Sequence, residues 1–261
     1  MSDLLQIKTG KNPEGTLYAA EEVYKHITTT YAEANLPELN DQFSLFERIP
    51  PRSHRKSYVI PSHQKQRPLP APGEKKRRKE EWICISMYWQ SPDHGYSFGK
   101  LVGYQIPLKT PGGTENDGLG KIDLLAQNGD TATLLELKQA NSREHPLRAF
   151  LEAYTYWKQL GGEKAEHFLK NSDAMHASIL DKAVVFYRGS QIADKLIHSS
   201  EAMKQFLRKL QVKCYFVDQS PQSEYLFDHV TEYKLCTWLS TGAPTKSADA
   251  SPNYEPPPPA S

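Results

Sequence analysis

Cysteine and long apolar runs are both scarce in this 261-residue chain. Its three cysteines, Cys84, Cys214 and Cys236, are odd in number and far apart. A disulfide framework and a paired-cysteine metal site are therefore excluded, and a reducing compartment is expected. No stretch approaches the roughly 18 to 20 apolar residues that span a bilayer, and the chain does not begin like a secretion signal. We therefore expect a cytoplasmic protein without a membrane partner.

Net charge is also nearly absent, but its distribution is uneven. The chain has 32 Lys and Arg against 31 Asp and Glu, a net charge of +1. Residues 50–79 hold ten basic residues and one acid, so this segment carries +9 and the rest carries −8. Its six prolines predict a surface loop. The loop, with Lys75, Lys76, Arg77 and Arg78, is either a nucleic-acid arm or a solvated linker, and would act as a nuclear localisation signal in a nucleated cell.

The composition predicts a single folded domain. Hydrophobic residues make up 38% of the chain, enough for one sizeable core. We expect one domain over residues 1–240, with the basic loop 50–79 as an insertion. Residues 241–261 are rich in proline and have nothing to bury, so a disordered tail is expected.

Apolar periodicity predicts alternating helices and strands over most of the chain. Helices are expected over residues 15–36, 143–160, 192–210 and 225–239. Strands are expected over residues 82–89, 100–108, 121–127, 131–138, 181–187 and 212–217. This order requires a mixed β-sheet with helices on its faces, so the predicted fold class is α/β.

The segment 121–138 is predicted to form a β-hairpin with Asn128-Gly129 as a two-residue turn. This turn sets the register of the two strands, and in that register Asp123 faces Leu134. Side chains alternate, so one face carries Asp123, Leu134, Glu136 and Lys138, and the other carries Ile122, Leu124, Thr133, Leu135 and Leu137. We expect the apolar face to enter the core. Asp123 and Glu136 would be diagonal neighbours about 7 to 8 Å apart on the opposite face.

Two carboxylates and an amine on one face favour phosphodiester hydrolysis. Carboxylate oxygens are preferred ligands of Mg²⁺ and Mn²⁺, and a metal held by Asp123 and Glu136 would neutralise phosphate and activate water. Lys138 beside them would keep its proton unless it is desolvated. A role in orienting water or stabilising charge and a role as a base therefore both stay open.

The pattern Asp123, twelve intervening residues, then Glu136-Leu137-Lys138 resembles the PD-(D/E)xK nuclease superfamily. The resemblance implies a restriction-endonuclease-like core of one helix, a three-stranded meander, a second helix and a fourth strand, here followed by an extra helix and strand. It implies that Asp123, Glu136 and the carbonyl of Leu137 bind Mg²⁺ or Mn²⁺. Lys138 is implied to be the catalytic lysine.

The chain departs from this family pattern in two places. Ile122 stands where many members have proline before the aspartate, and the second helix lacks the Gln and Tyr four residues apart of several branches. Arg148 and Glu152 stand where that Gln would be sought. The first core helix is assigned to residues 15–36, where Glu21 or Glu22 would supply an additional acid.

The expected function is a Mg²⁺-dependent nuclease acting on DNA rather than RNA. Arg143, His145 and Arg148 lie at the start of the second helix, where backbone amides also favour phosphate. The alternative is an inactive nucleic-acid-binding or protein-interaction module, including a subunit of a defence or repair complex. A further alternative is an exposed strand pair whose Asp, Glu and Lys only keep one face soluble. Strandedness, sequence specificity, mode of attack and dimerisation are left open.

Overall fold

A computed structural model describes residues 40, 43–49, 51, 55–61, 79–91, 95–108, 120–219 and 227–233. Its helices are α1 (Phe43–Glu47), α2 (Lys79–Gln90), α3 (Pro146–Gln159), α4 (Glu166–Lys170), α5 (Gln191–Ile197) and α6 (Glu201–Leu210), with a 3-10 turn at Gly162–Lys164. Its strands are β1 (Lys100–Pro107), β2 (Lys121–Asn128), β3 (Thr131–Leu137), β4 (Ile179–Tyr187), β5 (Lys213–Gln219) and β6 (Phe227–Tyr233).

The six strands form one mixed sheet in the order of the chain, β1 to β6. Strands β1, β2 and β3 form an antiparallel meander. Strand β4 runs parallel to β3, and β5 runs parallel to β4, as helical connections require. Strand β6 returns antiparallel beside β5. The predicted α/β class with a mixed sheet is confirmed.

The sheet is buried on both faces. One face packs through Leu125, Leu134 and Val184 against α3, α5 and α6. The other packs through Leu124, Leu135 and Val185 against α2. Because helices cover both faces, alternate residues of the central strands are apolar on both sides, as in other sheets with parallel strands.

Segment 82–89 forms a helix, so its prediction as a strand is wrong. Residues Ile83 to Met87 are all buried in α2, including Ser86. A short apolar helix that is buried on all sides has no periodicity that distinguishes it from a buried strand. The β-branched residues of this segment then favour a strand. Glu80 and Glu81 in the first turn favour the start of a helix here.

Two further predictions near the C-terminal part of the fold are corrected. Residues 227–233, which were predicted within a helix over 225–239, form β6, and Tyr233 stacks on Phe216 of β5 with ring centroids 4.5 Å apart. Pairing with the exposed edge of β5 overrides the local helical pattern. The helix predicted over 192–210 is divided into α5 and α6, because Ser200 caps α6 by accepting a hydrogen bond from the Met203 N–H.

The remaining described predictions agree with the structure within a few residues. The strands predicted over 100–108, 121–127, 131–138, 181–187 and 212–217 form β1 to β5, and the helix over 143–160 forms α3. The helix over 15–36, Lys75, Lys76, Arg77, Arg78 and the tail 241–261 lie outside the described residues. No helix in the described ranges is both long and apolar enough to cross a membrane.

Candidate active site

The hairpin carrying the predicted acids forms, but its turn is displaced by one residue. Asn128 pairs with Thr131, so Gly129 and Asp130 form the turn in place of Asn128 and Gly129. Gly129 has φ +56°, which glycine adopts without strain. Leu124 pairs with Leu135. The predicted register, with Asp123 opposite Leu134, is therefore wrong by two residues, because Leu134 pairs with Leu125.

A shift of two residues leaves the assignment of most side chains to faces unchanged. Leu124, Leu135 and Leu137 share one face, as predicted. Ile122 was predicted on that face but packs in the opposite part of the core, with Leu134. The alternative of a solvated charged face is wrong, because α3 packs over this face. Glu136 is 5% exposed and Lys138 is 6% exposed.

Asp123 departs from the simple alternation. Its Oδ1 accepts a hydrogen bond from Gln105 Nε2 at 2.8 Å, and this amide also contacts Cys84 Sγ of α2 at 3.8 Å. Its Oδ2 accepts a hydrogen bond from the Leu137 N–H at 2.9 Å. Gln105 has φ +47°, a strained value for a residue with a side chain. Asp123 therefore reaches toward α2, whereas Glu136 and Lys138 face α3.

Lys138 is the centre of a buried cluster of carboxylates. Its Nζ lies 2.7 Å from Glu136 Oε1, 3.0 Å from Glu152 Oε2 and 3.4 Å from Glu144 Oε2. Its backbone N–H donates to the Val185 carbonyl of β4. One ammonium thus meets three carboxyl groups from β3, the following loop and α3, and one of them, Glu144, also pairs with Arg148.

Glu152 was named in the sequence only as a departure from the family pattern, and the structure brings it into this cluster. It lies in the middle of α3, a helix that His145 caps and that has Pro146 at its start. Its Oε1 accepts a hydrogen bond from the Tyr156 hydroxyl at 3.1 Å. Glu152 and Tyr156 are four residues apart, and this spacing was the sequence signal for the pair.

Burial and mutual repulsion shift the titration of the acids. Burial raises the pKa of Asp123 to about 7, although the charge of Lys138 and the hydrogen bond from Leu137 oppose this. Burial and the charge of Glu152 raise the pKa of Glu136 well above its ordinary value. For Glu152, burial is outweighed by the charge of Lys138 and by hydrogen bonds from Lys138 and Glu136, so its pKa is lowered.

At Lys138 the surrounding charges outweigh burial. Burial alone would lower the pKa of its ammonium, but the charges of Glu136, Glu152, Glu144 and Asp123 raise it well above the ordinary value. Lys138 is therefore protonated at neutral pH in this arrangement.

The start of α3 contains the three predicted phosphate contacts. His145 is 4% exposed, and its Nδ1 accepts a hydrogen bond from the Leu147 N–H, so this nitrogen caps the helix and does not reach phosphate. Arg148 Nη1 pairs with Glu144 Oε1 at 3.2 Å, and its buried Nε has no hydrogen-bond partner among the described residues. Arg143 is exposed, and its carbonyl accepts from Lys195 Nζ.

The predicted metal ligands are hard oxygen donors. Asp123 reaches toward α2 and Glu136 faces α3, and the described part of the chain has no group of three or more His, Cys, Asp or Glu side chains placed to hold a metal. A carboxylate has about four lone-pair sites, so the two hydrogen bonds at Asp123 leave acceptor positions. The donor atoms are therefore of the type that a hard divalent cation prefers, but the described carboxylates are not gathered into a metal-binding group.

Comparisons of the chain with models of protein families, with curated proteins and with solved structures find no match.

Proposed function

We propose that the chain is a metal-dependent nuclease that hydrolyses phosphodiester bonds, with DNA as the expected substrate. The observation that carries the proposal is the buried Lys138 ammonium among Glu136, Glu144 and Glu152, with Asp123 beside them at the end of the same hairpin. Burying so many carboxylates is costly. A bound cation would offset part of this cost.

The order of elements supports the proposal. Helix α2, the meander β1 to β3, helix α3 and strand β4 follow the sequence expected of the PD-(D/E)xK core. In this proposal α2 would serve as the first core helix, a role that was predicted for segment 15–36, which lies outside the described residues. Its Glu80 carries a charge that contributes to raising the pKa of Asp123, so Glu80 would be a candidate for the additional acid beside the untested Glu21 and Glu22.

Asp123, Glu136 and the Leu137 carbonyl would hold Mg²⁺ or Mn²⁺. The metal, when bound, would neutralise phosphate charge and lower the pKa of a water molecule. Lys138 would orient that water and stabilise charge on the phosphate, since its three carboxylate neighbours keep it protonated and make it a poor base. The Arg148 side chain is 31% exposed, so its guanidinium would be a candidate for a phosphate contact. Arg143, Lys75, Lys76, Arg77 and Arg78 remain predicted contacts.

A second candidate is an inactive nucleic-acid-binding or protein-interaction module on the same fold. One observation favours it: Glu136 and Lys138 are nearly closed off from solvent and already satisfy each other. In that case the cluster is a fully paired buried network, which is worth keeping for specificity of the fold.

Thermal melting with Mn²⁺ and Mg²⁺ separates the two candidates. A ligand that binds only the folded chain raises its melting temperature. We expect millimolar metal to stabilise the parent and the control Glu201→Gln, which changes an exposed acid paired with Arg208. Asp123→Ala and Glu136→Gln should lose the shift. No shift for the parent supports the inactive module.

Cleavage assays then test the reaction itself. Single- and double-stranded DNA and RNA are incubated with the parent and with Asp123→Ala, Glu136→Gln and Lys138→Met. Each substitution should reduce metal-dependent cleavage by about 10²-fold to 10⁴-fold, the range that positioned catalytic groups supply. Variants that fold and cleave like the parent contradict the assignment. Size-exclusion chromatography of the same samples, with and without DNA, tests for a dimer.

A further inference from the structure

The hydroxyl of Tyr156 occupies the space that a side chain on Gly120 would fill. A Cβ built on Gly120 would lie 2.1 Å from the Tyr156 oxygen and 2.9 Å from its Cζ. Gly120 directly precedes β2, the strand of Asp123, and its carbonyl accepts a hydrogen bond from the Leu108 N–H. Helix α3 and the start of β2 therefore meet closely at this hydroxyl.

Tyr156 fixes one side of the Glu152 carboxylate. The hydroxyl donates to Oε1 at 3.1 Å, which leaves Oε2 for the Lys138 ammonium at 3.0 Å. A carboxylate held at both oxygens loses the freedom to rotate. The Glu152 side chain is 15% exposed, so solvent competes little for either contact.

Glu152 in turn limits where the Lys138 ammonium can lie. Lys138 has a long side chain with many rotamers. Contacts with Glu136 at 2.7 Å and Glu152 at 3.0 Å hold its Nζ from two elements at once, β3 and α3. Glu136 alone is two residues away on the same strand and moves with Lys138, so only Glu152 fixes the ammonium relative to the helix.

We propose that Glu152, held by Tyr156 in the space left by Gly120, is the positioning residue that places the Lys138 ammonium for the reaction. This inference rests on the proposed nuclease function. It explains why a glutamate stands where a glutamine was sought, because a glutamate attracts the ammonium as well as accepting its hydrogen bond.

The first measurement examines Lys138 itself, independently of any activity. A buried, hydrogen-bonded lysine ammonium exchanges its protons slowly, so ¹⁵N NMR of the full chain should detect the Nζ of Lys138, assigned by its loss in Lys138→Met. The signal should disappear or move in Glu152→Ala, shift less in Glu152→Gln and Tyr156→Phe, and stay unchanged in Glu201→Gln. An unchanged signal in Glu152→Ala would overturn the proposal.

The second measurement concerns cleavage. Glu152→Ala should reduce kcat by about 10-fold to 100-fold with KM nearly unchanged, as for other residues that orient a reacting group. Glu152→Gln should restore part of this loss, which a purely structural role would not predict. A parent-like kcat for Glu152→Ala, or a change confined to KM, contradicts positioning.

The two proposals fail in different ways. If the parent shows neither a metal shift nor cleavage, the nuclease function fails, and the NMR result alone decides whether Glu152 places Lys138. If the parent cleaves and the metal shift persists in Glu152→Ala, any loss of kcat belongs to positioning rather than to metal binding. Melting curves of every variant exclude unfolding as the cause.

Discussion

Two lysines, Lys138 and Lys182, are buried against α3 to nearly the same extent, 6% and 4% exposed, yet their surroundings are opposite. Lys138 Nζ has three carboxylates within 3.4 Å. Lys182 Nζ lies 3.7 Å from the centroid of the Trp157 ring and has no hydrogen-bond acceptor among the described residues. Burial lowers the pKa of Lys182 to about 8, helped by the charge of Lys158, whereas the pKa of Lys138 is raised.

The difference shows that burial alone does not mark a functional lysine. Lys182 is accommodated by an aromatic face, a contact worth roughly 0.5 to 2 kcal/mol. Lys138 is surrounded by more acid than one amine can neutralise. The proposed function rests on the acids gathered around Lys138 and not on its burial, and Lys182 shows what a buried lysine costs without such partners.

The largest expected effect is that of Lys138→Met. Removing the ammonium leaves Glu136, Glu144 and Glu152 facing one another in a buried place, and breaking such a network costs about 3 to 5 kcal/mol. Chemical denaturation of parent and variant at pH 7 measures the loss. It should shrink at pH 5, where the carboxyls are more readily protonated. A loss below about 1 kcal/mol, similar to that of the exposed Lys213→Met control, would contradict the network.

Gly120→Ala, which also affects the surroundings of Lys138, should destabilise the fold less than Lys138→Met does. The new methyl group displaces the Tyr156 hydroxyl and with it the support of Glu152 and Lys138, at a cost of about 1 to 3 kcal/mol. A double-mutant cycle with Tyr156→Phe checks the cause. The glycine substitution should cost less in the Phe background, because the oxygen at 2.1 Å is gone. Equal costs in both backgrounds would place the strain elsewhere.

The smallest effect, with the opposite sign, is expected for Lys182→Met. Lys182 has a folded pKa of about 8, below its ordinary 10.5. Its charge therefore destabilises the fold fully below pH 8, and this penalty fades as the pH rises toward 10.5. The variant should be more stable than the parent by about 1 to 2 kcal/mol at pH 7, after the lost cation–π contact is subtracted.

Urea denaturation of Lys182→Met, Lys213→Met and the parent at pH 7 and pH 9.5 provides the check. The advantage of Lys182→Met should decrease at the higher pH. Lys213 is half-exposed and paired with Asp181 at 2.8 Å, so its variant should change stability by about 1 kcal/mol or less at either pH. Destabilisation by Lys182→Met at pH 7 would show that the Trp157 contact outweighs the penalty of burial.

Much of the fold followed from local pattern, and the failures have physical causes. Strands β1 to β5 and helix α3 could be predicted because their apolar residues recur at strand or helix spacing. Helix α2 could not, because Ile83 to Met87 are buried all round and have no polar face to reveal the period. Strand β6 could not, because its structure depends on the edge of β5.

Three residues of the candidate site could be identified from the sequence, but their arrangement could be predicted only in part. Asp123, Glu136 and Lys138 were identified from their spacing. The predicted register was wrong by two residues because Gly129, the residue with positive φ, can be either the first or the second residue of the turn. Both the predicted and the observed turn contain it. Glu144 joined the cluster without a sequence signal, since its contact with Lys138 requires the loop before α3 to turn back over the sheet.

The sequence by itself determined that acids and an amine lie near the end of one hairpin, because strand alternation and short turns are local properties. Only the tertiary structure decided that α3 covers them, that Glu152 and Tyr156 meet Lys138, and that Lys182 lies on an indole instead. Desolvation and charge pairing act between elements that are distant in the chain. The titration and the chemical character of each buried lysine therefore depend on packing that no local pattern contains.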